Sequence, residues 1–358
     1  MFNIVNVILT RKCNLACKYC QITKDPICDR YPRIDHYHRS QLSPEQWSKI
    51  FATCKSVNNN TFFVIYGGEP YLYGEVYLRN LTKWLNENDI AYTYVSNCSS
   101  SDIRDFWIRL HQEVGLRGIT GSVDPVDENT RDTDPARYRK SKTSLNFLEV
   151  MVKLGVPDVV AEVVVDKKTL ANLVDTVRQL SRKGIWASCS TVEVALNEYY
   201  DFAFPVDFEK AKAEILLDPD ETKVFLNDLK MLKDEGCLVH CPEGVRYVHQ
   251  IGDRIGTMIY QEPPDLNTIT IDADGTFRLC YRIRGIATPS ISALHDFANS
   301  EKVFAMSIYQ LQLAMLQDYN DFCEGCSWTC RGFSNVCNFS QISHKQKNVQ
   351  KKGEVNVS

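Results

Sequence analysis

The hydrophobic pattern divides the first part of the chain into alternating strands and helices. Short apolar runs predict strands at residues 2–9, 61–66, 90–95, 118–123, 159–165 and 186–194. Amphipathic segments between them predict helices at residues 43–57, 76–88, 101–114, 145–154 and 171–183. The strands are continuously apolar, which is typical of a parallel sheet that is covered on both faces. The pattern therefore predicts an α/β fold.

The number of repeating units narrows this fold class. Six strand–helix units are too few to close an eight-stranded barrel, so we expect a partial (βα)6 barrel of the TIM type. Reactive groups of such folds gather at the carboxyl ends of the strands. Polar segments follow four of the predicted strands, at residues 10–20, 67–70, 96–97 and 122–124. A functional site is therefore predicted at this edge of the sheet.

The C-terminal part of the chain has a different texture. Residues 206–236 are charged and helical in pattern, whereas residues 237–265 show no regular period. Two apolar runs at 268–272 and 276–279 flank an Asp-Gly pair, which predicts a β-hairpin. We therefore predict a barrel at residues 1–200 and a bridging helical region at 201–265. A small Cys-rich domain at 266–343 and a disordered Lys-rich tail at 344–358 follow.

Composition and charge exclude several classes of protein. The chain is 44% hydrophobic and 24% charged, which is ordinary for a globular protein. A net charge of -4 gives no support for a nucleic-acid partner or a polybasic membrane surface. Neither a membrane-spanning run nor a signal-peptide layout is present in the sequence. We expect a soluble, cytoplasmic protein.

The cysteines are the unusual feature. There are 14, and most lie in two groups, at positions 13, 17, 20 and 28 and at positions 323, 326, 330 and 337. Disulfide frameworks are typical of small secreted domains, whereas grouped cysteines in a large chain without a secretion signal favour a metal or cluster site. The sequence therefore predicts two thiolate-rich sites.

The first group offers three thiolates within eight residues, Cys13, Cys17 and Cys20. Most [4Fe–4S] clusters have four protein ligands, so three would leave one iron open for another molecule. On these residues alone, half of a zinc site is the alternative.

The segment 13–20 (CNLACKYC), with Tyr19 before its last cysteine, closely resembles the signature of the radical S-adenosylmethionine superfamily. The resemblance implies that Cys13, Cys17 and Cys20 hold a [4Fe–4S] cluster whose open iron binds S-adenosylmethionine. It also implies that reductive cleavage of S-adenosylmethionine gives a 5′-deoxyadenosyl radical, which abstracts a hydrogen atom from the substrate.

The same resemblance extends over residues 4–195 and assigns further contacts to the cofactor. It implies that Gly67, Gly68 and Glu69 contact the methionine amino group, and that Ser96 and Asn97 contact the cofactor in a neighbouring turn. It further implies that Ser122 and Asp124 lie near the ribose and that Arg137 or Arg139 binds the methionine carboxylate. Val163 and Val165 would flank the adenine. Simpler interpretations remain open, namely a loop carboxylate at Glu69, ordinary turn formers at 96–97 and a solvated charge run at 137–139.

The C-terminal cysteines resemble the SPASM and twitch extensions of this superfamily, which carry auxiliary clusters. The resemblance implies one auxiliary [4Fe–4S] cluster on Cys280, Cys323, Cys326 and Cys330. A Cys₄ zinc site is one alternative. Two auxiliary clusters that also use Cys237, Cys241 and Cys337 are the other.

Three functional hypotheses follow. The first is oxidative modification or cross-linking of a peptide or protein substrate, with an electron donor such as flavodoxin or ferredoxin as partner. The second is a dehydrogenase or epimerase of a small molecule of the aminocyclitol or sugar type, and the third is a non-catalytic iron–sulfur or zinc protein. Cys98 and Cys189, near strand ends, are candidates for a thiol that faces the substrate.

Overall fold

A computed structural model describes residues 4–15, 17, 42–57, 59–125, 128–129, 139–192, 215, 217–240, 245–251, 254–260, 268–271, 273, 275 and 277–278. The strands of this part are β1 (Ile4–Thr10), β2 (Phe62–Gly67), β3 (Ala91–Ser96), β4 (Gly118–Val123), β5 (Glu128–Asn129), β6 (Arg139–Lys140), β7 (Asp158–Val165), β8 (Trp186–Thr191), β9 (Val245–Ile251), β10 (Arg254–Tyr260), β11 (Thr268–Ile271) and β12 (Phe277–Arg278). Six of them, β1, β2, β3, β4, β7 and β8, pair in parallel in that order. This open parallel sheet confirms the predicted α/β fold.

Helices connect these strands. The α-helices are α1 (Pro44–Val57), α2 (Glu75–Glu87), α3 (Ser101–Val114), α4 (Ser141–Lys153), α5 (Leu173–Arg182) and α6 (Pro219–Asp234). Short 3₁₀ helices at Pro70–Tyr73 and Leu170–Asn172 precede α2 and α5. Among the residues that the structure describes, no helix is both long and apolar enough to cross a membrane.

The two faces of the sheet differ in chemistry. In β3, Tyr92 and Tyr94 join the hydrophobic core, where the Tyr94 ring lies 5.0 Å from that of Trp107 in α3. On the opposite face the hydroxyls of Thr93 and Thr120, from adjacent strands, lie 3.3 Å apart. Because side chains alternate along a strand, one face is apolar beneath the helices and the other carries polar groups.

Both edges of the six-stranded sheet are extended by later parts of the chain. Strand β11 lies parallel to β1, with Ile4 opposite Thr268 and Val7 opposite Ile271, and β12 pairs antiparallel to β11. At the other edge, Ala187 of β8 donates its N–H to Leu238 O at 2.8 Å. The hairpin predicted at 268–279 is therefore confirmed, and its first strand continues the barrel sheet.

The structure corrects one expectation for the C-terminal half. Residues 237–265 were expected to be irregular, but β9 and β10 form an antiparallel pair there. The signal was present as Gly252-Asp253 between two runs rich in β-branched and aromatic residues. Within 206–236 the described residues include α6, which begins at Pro219 directly after the reciprocal capping box of Asp218 and Glu221.

Candidate active site

The predicted site lies where the carboxyl ends of β1, β2 and β3 meet. The backbone N–H of Gly68 donates to Thr10 O at 2.7 Å, and that of Glu69 donates to Lys12 O at 2.7 Å. These two bonds fasten the segment after β2 to the start of the cysteine loop after β1. Two motifs that are more than 50 residues apart in the sequence thus become one unit.

Both glycines of this unit are required by close packing. A Cβ atom on Gly67 would lie 2.1 Å from Thr10 O, and one on Gly68 would lie 2.0 Å from Lys12 O. Gly67 also has a φ angle of +146°, which side-chain-bearing residues rarely adopt. The close approach of the two backbones therefore depends on the absence of side chains at both positions.

Glu69 is completely buried and connects β2 to β3. Its carboxylate accepts a hydrogen bond from Asn97 N at 2.8 Å and lies 3.1 Å from Ser96 Oγ through both oxygens. Tyr71 N also donates to it at 3.3 Å. Burial of a carboxylate is costly unless several donors satisfy it, as they do here. Glu69 is therefore a buried carboxylate whose hydrogen-bond partners belong to the protein itself.

The cysteine loop carries two half-buried thiols, Cys13 and Cys17. Cys13 Sγ accepts hydrogen bonds from Leu15 N at 3.4 Å and from Asn97 Nδ2 at 3.6 Å. The third predicted ligand, Cys20, and its neighbour Tyr19 lie outside the described residues. No group of three or more metal-binding side chains occurs among the residues that the structure describes. Soft thiolates with N–H donors directed at the sulfur nevertheless fit an iron–sulfur cluster.

Ser122 and Asp124 lie at and just beyond the end of β4, and both are at least half-buried. Val163 and Val165 are completely buried in the hydrophobic core, so their side chains face away from the polar face of the sheet. Any contact of theirs with adenine would therefore have to use the backbone. Arg137 lies outside the described part of the chain.

Glu162, in the middle of β7, is a candidate that sequence reasoning missed. Its neighbours Ala161 and Val163 belong to the core, so Glu162 lies on the polar face, in register with Ser122 of β4. Ser190 Oγ donates to its carboxylate at 3.2 Å. The available signal was one acidic residue within an otherwise apolar strand.

The cysteines near strand ends lie on the helix side. Cys98 is completely buried, with its Sγ 3.1 Å from the position that a Cβ on Gly121 would occupy. Cys189 belongs to the same hydrophobic core. The expectation that either thiol faces a substrate is therefore wrong for this arrangement. Burial also raises the pKa of Cys54 well above its usual value.

Known structures share this fold at low sequence identity. The chain aligns with SuiB from Streptococcus suis at a TM-score of 0.52 and 14% identity, over 78% of this chain and 60% of that one. A structure described as native anSMEcpe with bound AdoMet aligns at a TM-score of 0.53 and 13% identity, over 98% of both chains. These likenesses establish the fold.

Comparison with known sequences identifies the family. A probable GTP 3′,8-cyclase from Methanopyrus kandleri is 25% identical over 178 residues, which are 49% of this chain and 52% of the relative. The match thus spans about half the length of that curated relative. The family model described as Radical SAM superfamily matches residues 7–195, more than half of the chain. The protein therefore belongs to the radical SAM superfamily.

Proposed function

We propose that the protein cleaves S-adenosylmethionine at a [4Fe–4S] cluster held by Cys13, Cys17 and Cys20, and that it oxidatively modifies a peptide or protein substrate. Membership of the superfamily implies both S-adenosylmethionine and a [4Fe–4S] cluster. When bound, they supply a 5′-deoxyadenosyl radical. One observation carries the proposal: the segments after β1, β2 and β3 are joined by hydrogen bonds into one site.

In this site, the segment 67–69 would bind the cofactor through its backbone. The Glu69 carboxylate accepts hydrogen bonds from Ser96 and Asn97, so in this proposal it positions β3 and the backbone of 67–69 meets the methionine amino group. The absence of side chains on Gly67 and Gly68 lets this segment pack directly against the backbone of the cysteine loop that carries Cys13. Glu69 would therefore act on the cofactor site indirectly, by holding Ser96 and Asn97 in place.

The polar face of the sheet would receive the ribose and the substrate. Ser122, Glu162 and Ser188 are aligned across β4, β7 and β8, because Glu162 is in register with both serines. Hydroxyls and a carboxylate can bind hydroxyl, amide or ammonium groups, all of which a peptide offers. Since Glu162 can accept hydrogen bonds from a diol or ammonium group, it is our candidate for substrate orientation.

Support for a peptide substrate comes from the fold relative SuiB, of which one structure is bound to the precursor peptide SuiA. The likeness to that structure, at 14% identity, is one of fold. A small-molecule substrate is the second candidate, because the curated relative is a probable GTP 3′,8-cyclase. The two candidates share the cofactor site and differ only in what occupies the polar face.

We propose one auxiliary [4Fe–4S] cluster on Cys280, Cys323, Cys326 and Cys330, which lie outside the described residues. The strand β12 ends at Arg278, two residues before Cys280. Its partner β11 is attached to β1, the strand that leads into the Cys13 loop. An auxiliary cluster would accept an electron from the substrate radical and make the reaction oxidative. Flavodoxin or ferredoxin would supply the first electron.

The test is anaerobic reconstitution followed by an assay of 5′-deoxyadenosine formed with dithionite. Wild-type protein should carry about eight irons per chain, at four per cluster. Replacing all three of Cys13, Cys17 and Cys20 by alanine should abolish cleavage and remove about half of the iron. The matched control is Cys54→Ala, which removes a buried thiol in α1 and should keep both the iron content and the cleavage activity. Cleavage that persists without the three cysteines would refute the proposal.

Substrate class is tested by mass spectrometry after anaerobic turnover. Short peptides encoded beside the gene should lose about two hydrogens per modification if the reaction is oxidative. Product formed only from sugars or nucleotides would favour the small-molecule candidate. Replacing Cys323 and Cys326 should stop turnover while cleavage of S-adenosylmethionine continues.

A further inference from the structure

The side chain of Asn97 lies between β3 and the cysteine loop. Its Nδ2 is 3.6 Å from Cys13 Sγ and 2.8 Å from Asn14 Oδ1, and its Oδ1 accepts from Ser99 N at 2.8 Å. Asn14 in turn donates its Nδ2 to Ser99 Oγ at 2.6 Å. The resemblance had assigned Asn97 a cofactor contact, whereas its amide is directed at a proposed cluster ligand.

The orientation of this amide is fixed by its partners. A backbone N–H can only donate, so the Asn97 atom that faces Ser99 N must be the oxygen. The amide nitrogen then faces Cys13 Sγ and Asn14 Oδ1, with one hydrogen available for each. An amide flip would place two donors against each other at Ser99. The N–H···S contact therefore follows from the network.

The backbone of Asn97 is also held in place. Its N–H donates to the buried Glu69 carboxylate at 2.8 Å, and the residue is only 9% exposed. Hydrogen bonds hold the backbone of Asn97 at Glu69 and its amide at Asn14 and Ser99, in a nearly water-free site. The side chain therefore loses little further conformational entropy when it donates to sulfur.

We propose that Asn97 raises the reduction potential of the [4Fe–4S] cluster by donating a hydrogen bond to the thiolate of Cys13. This inference rests on the proposed function, because it requires the cluster at Cys13. A reduced cluster carries one more negative charge than an oxidised one, so a donor at a ligand sulfur stabilises the reduced state more. Asn97 is thus a positioning residue that favours acceptance of the first electron.

Mutagenesis can remove the side-chain donor that Asn97 provides. Cys13 Sγ also accepts from the backbone N–H of Leu15, which persists in any side-chain variant. Asn97→Leu keeps a similar shape and removes the amide. Asn97→Asp removes the donor and adds a negative charge beside the thiolate.

The test is a redox titration of the cluster, followed by electron paramagnetic resonance, before S-adenosylmethionine is added. Loss of one such hydrogen bond should lower the equilibrium constant for reduction about tenfold, which is about 59 mV for a one-electron couple. Both variants should lower the reduction potential, and Asn97→Asp should lower it more than Asn97→Leu. The matched control is Asn88→Asp, which adds the same charge before the other end of the six-residue strand β3, about 20 Å away, and should leave the potential unchanged.

The outcomes separate this inference from the proposed function. Wild-type protein that binds no cluster would refute the proposed function itself. Loaded variants with the wild-type potential would refute the role of Asn97 and leave the proposed function intact. If the variants do not load iron, wild-type protein labelled with ¹⁵N-asparagine provides the test. Its reduced cluster should then show a ¹⁵N hyperfine coupling, and the absence of that coupling would overturn the inference.

Discussion

Replacement of Gly68 by alanine tests how the cysteine loop is held against the end of β2. The new Cβ would lie 2.0 Å from Lys12 O, whereas ordinary contact begins at 3.4 Å. The obstacle is backbone, so no side-chain rotation can relieve the clash. The loop that carries Cys13 must therefore move away from β2, and the bonds from Gly68 N and Glu69 N should break.

The magnitude follows from these contacts. Overpacking of this kind costs about 1–3 kcal/mol, and each lost backbone hydrogen bond about 1 kcal/mol. We therefore expect Gly68→Ala to lower the free energy of unfolding by about 3–5 kcal/mol. The control is Gly155→Ala, where φ is +83° and no atom lies within 4 Å of the new Cβ. That variant should lose only about 1–2 kcal/mol, through its backbone conformation.

Thermal unfolding of the unloaded protein measures the stability, and iron content with 5′-deoxyadenosine formation measures the site. Gly68→Ala should lose stability, iron and cleavage together, whereas Gly155→Ala should keep iron and cleavage. If Gly68→Ala binds iron and cleaves S-adenosylmethionine like Gly155→Ala, the two backbones do not need their close contact and the reasoning is wrong.

Three further predictions address other residues. Glu69→Gln should lower iron content and cleavage, because only one oxygen of an amide can accept hydrogen bonds whereas both carboxylate oxygens accept from Asn97 N and Ser96 Oγ. Ser96→Ala removes one of these donors and should cause a smaller loss of iron and cleavage. Equal losses in the two variants would contradict the role of the Glu69 carboxylate. Glu162→Gln should slow substrate turnover but leave cleavage intact, and an assay in which both fall together would place Glu162 at the cofactor. Burial lowers the pKa of His240 from 6.5 to about 4, so the unfolded chain binds more protons between these values and stability is lost as pH falls through them. His240→Phe, which can still stack on Trp186, should lose less stability between pH 7 and 5 in urea unfolding; an unchanged pH dependence would exclude His240 as its source.

The sheet was predictable from sequence because its strands are buried and short. Runs such as 62–67 and 118–123 lie between clear turn signals, so their boundaries were right within about two residues. The pairing of β11 with β1 could not be predicted, because about 260 residues separate the strands and nothing local specifies a partner. The hairpin of β9 and β10 was missed for another reason: its polar positions obscured the alternation.

The composition of the site was predictable, but the direction of each side chain was not. Glu69, Ser96 and Asn97 were named from motifs, but the motifs do not specify which protein groups these side chains contact. In the structure, the side-chain contacts described for these residues are mainly with one another and with the cysteine loop. Orientation depends on tertiary hydrogen bonds between residues 28 and 84 positions apart, which no sequence period encodes.

Polar contacts between strand ends explain how an open sheet can hold a loop in a defined position. The cysteine loop receives one set of bonds from the backbone of 68–69 and another from the amide of Asn97. Both sets meet at Glu69, whose N–H holds Lys12 and whose carboxylate holds Asn97. Because Glu69 is completely buried, removal of any one partner leaves a polar group that water cannot reach. The geometry at Cys13 is therefore coupled to β2 and β3 together, so changes at any of these residues should act on the cluster as one unit.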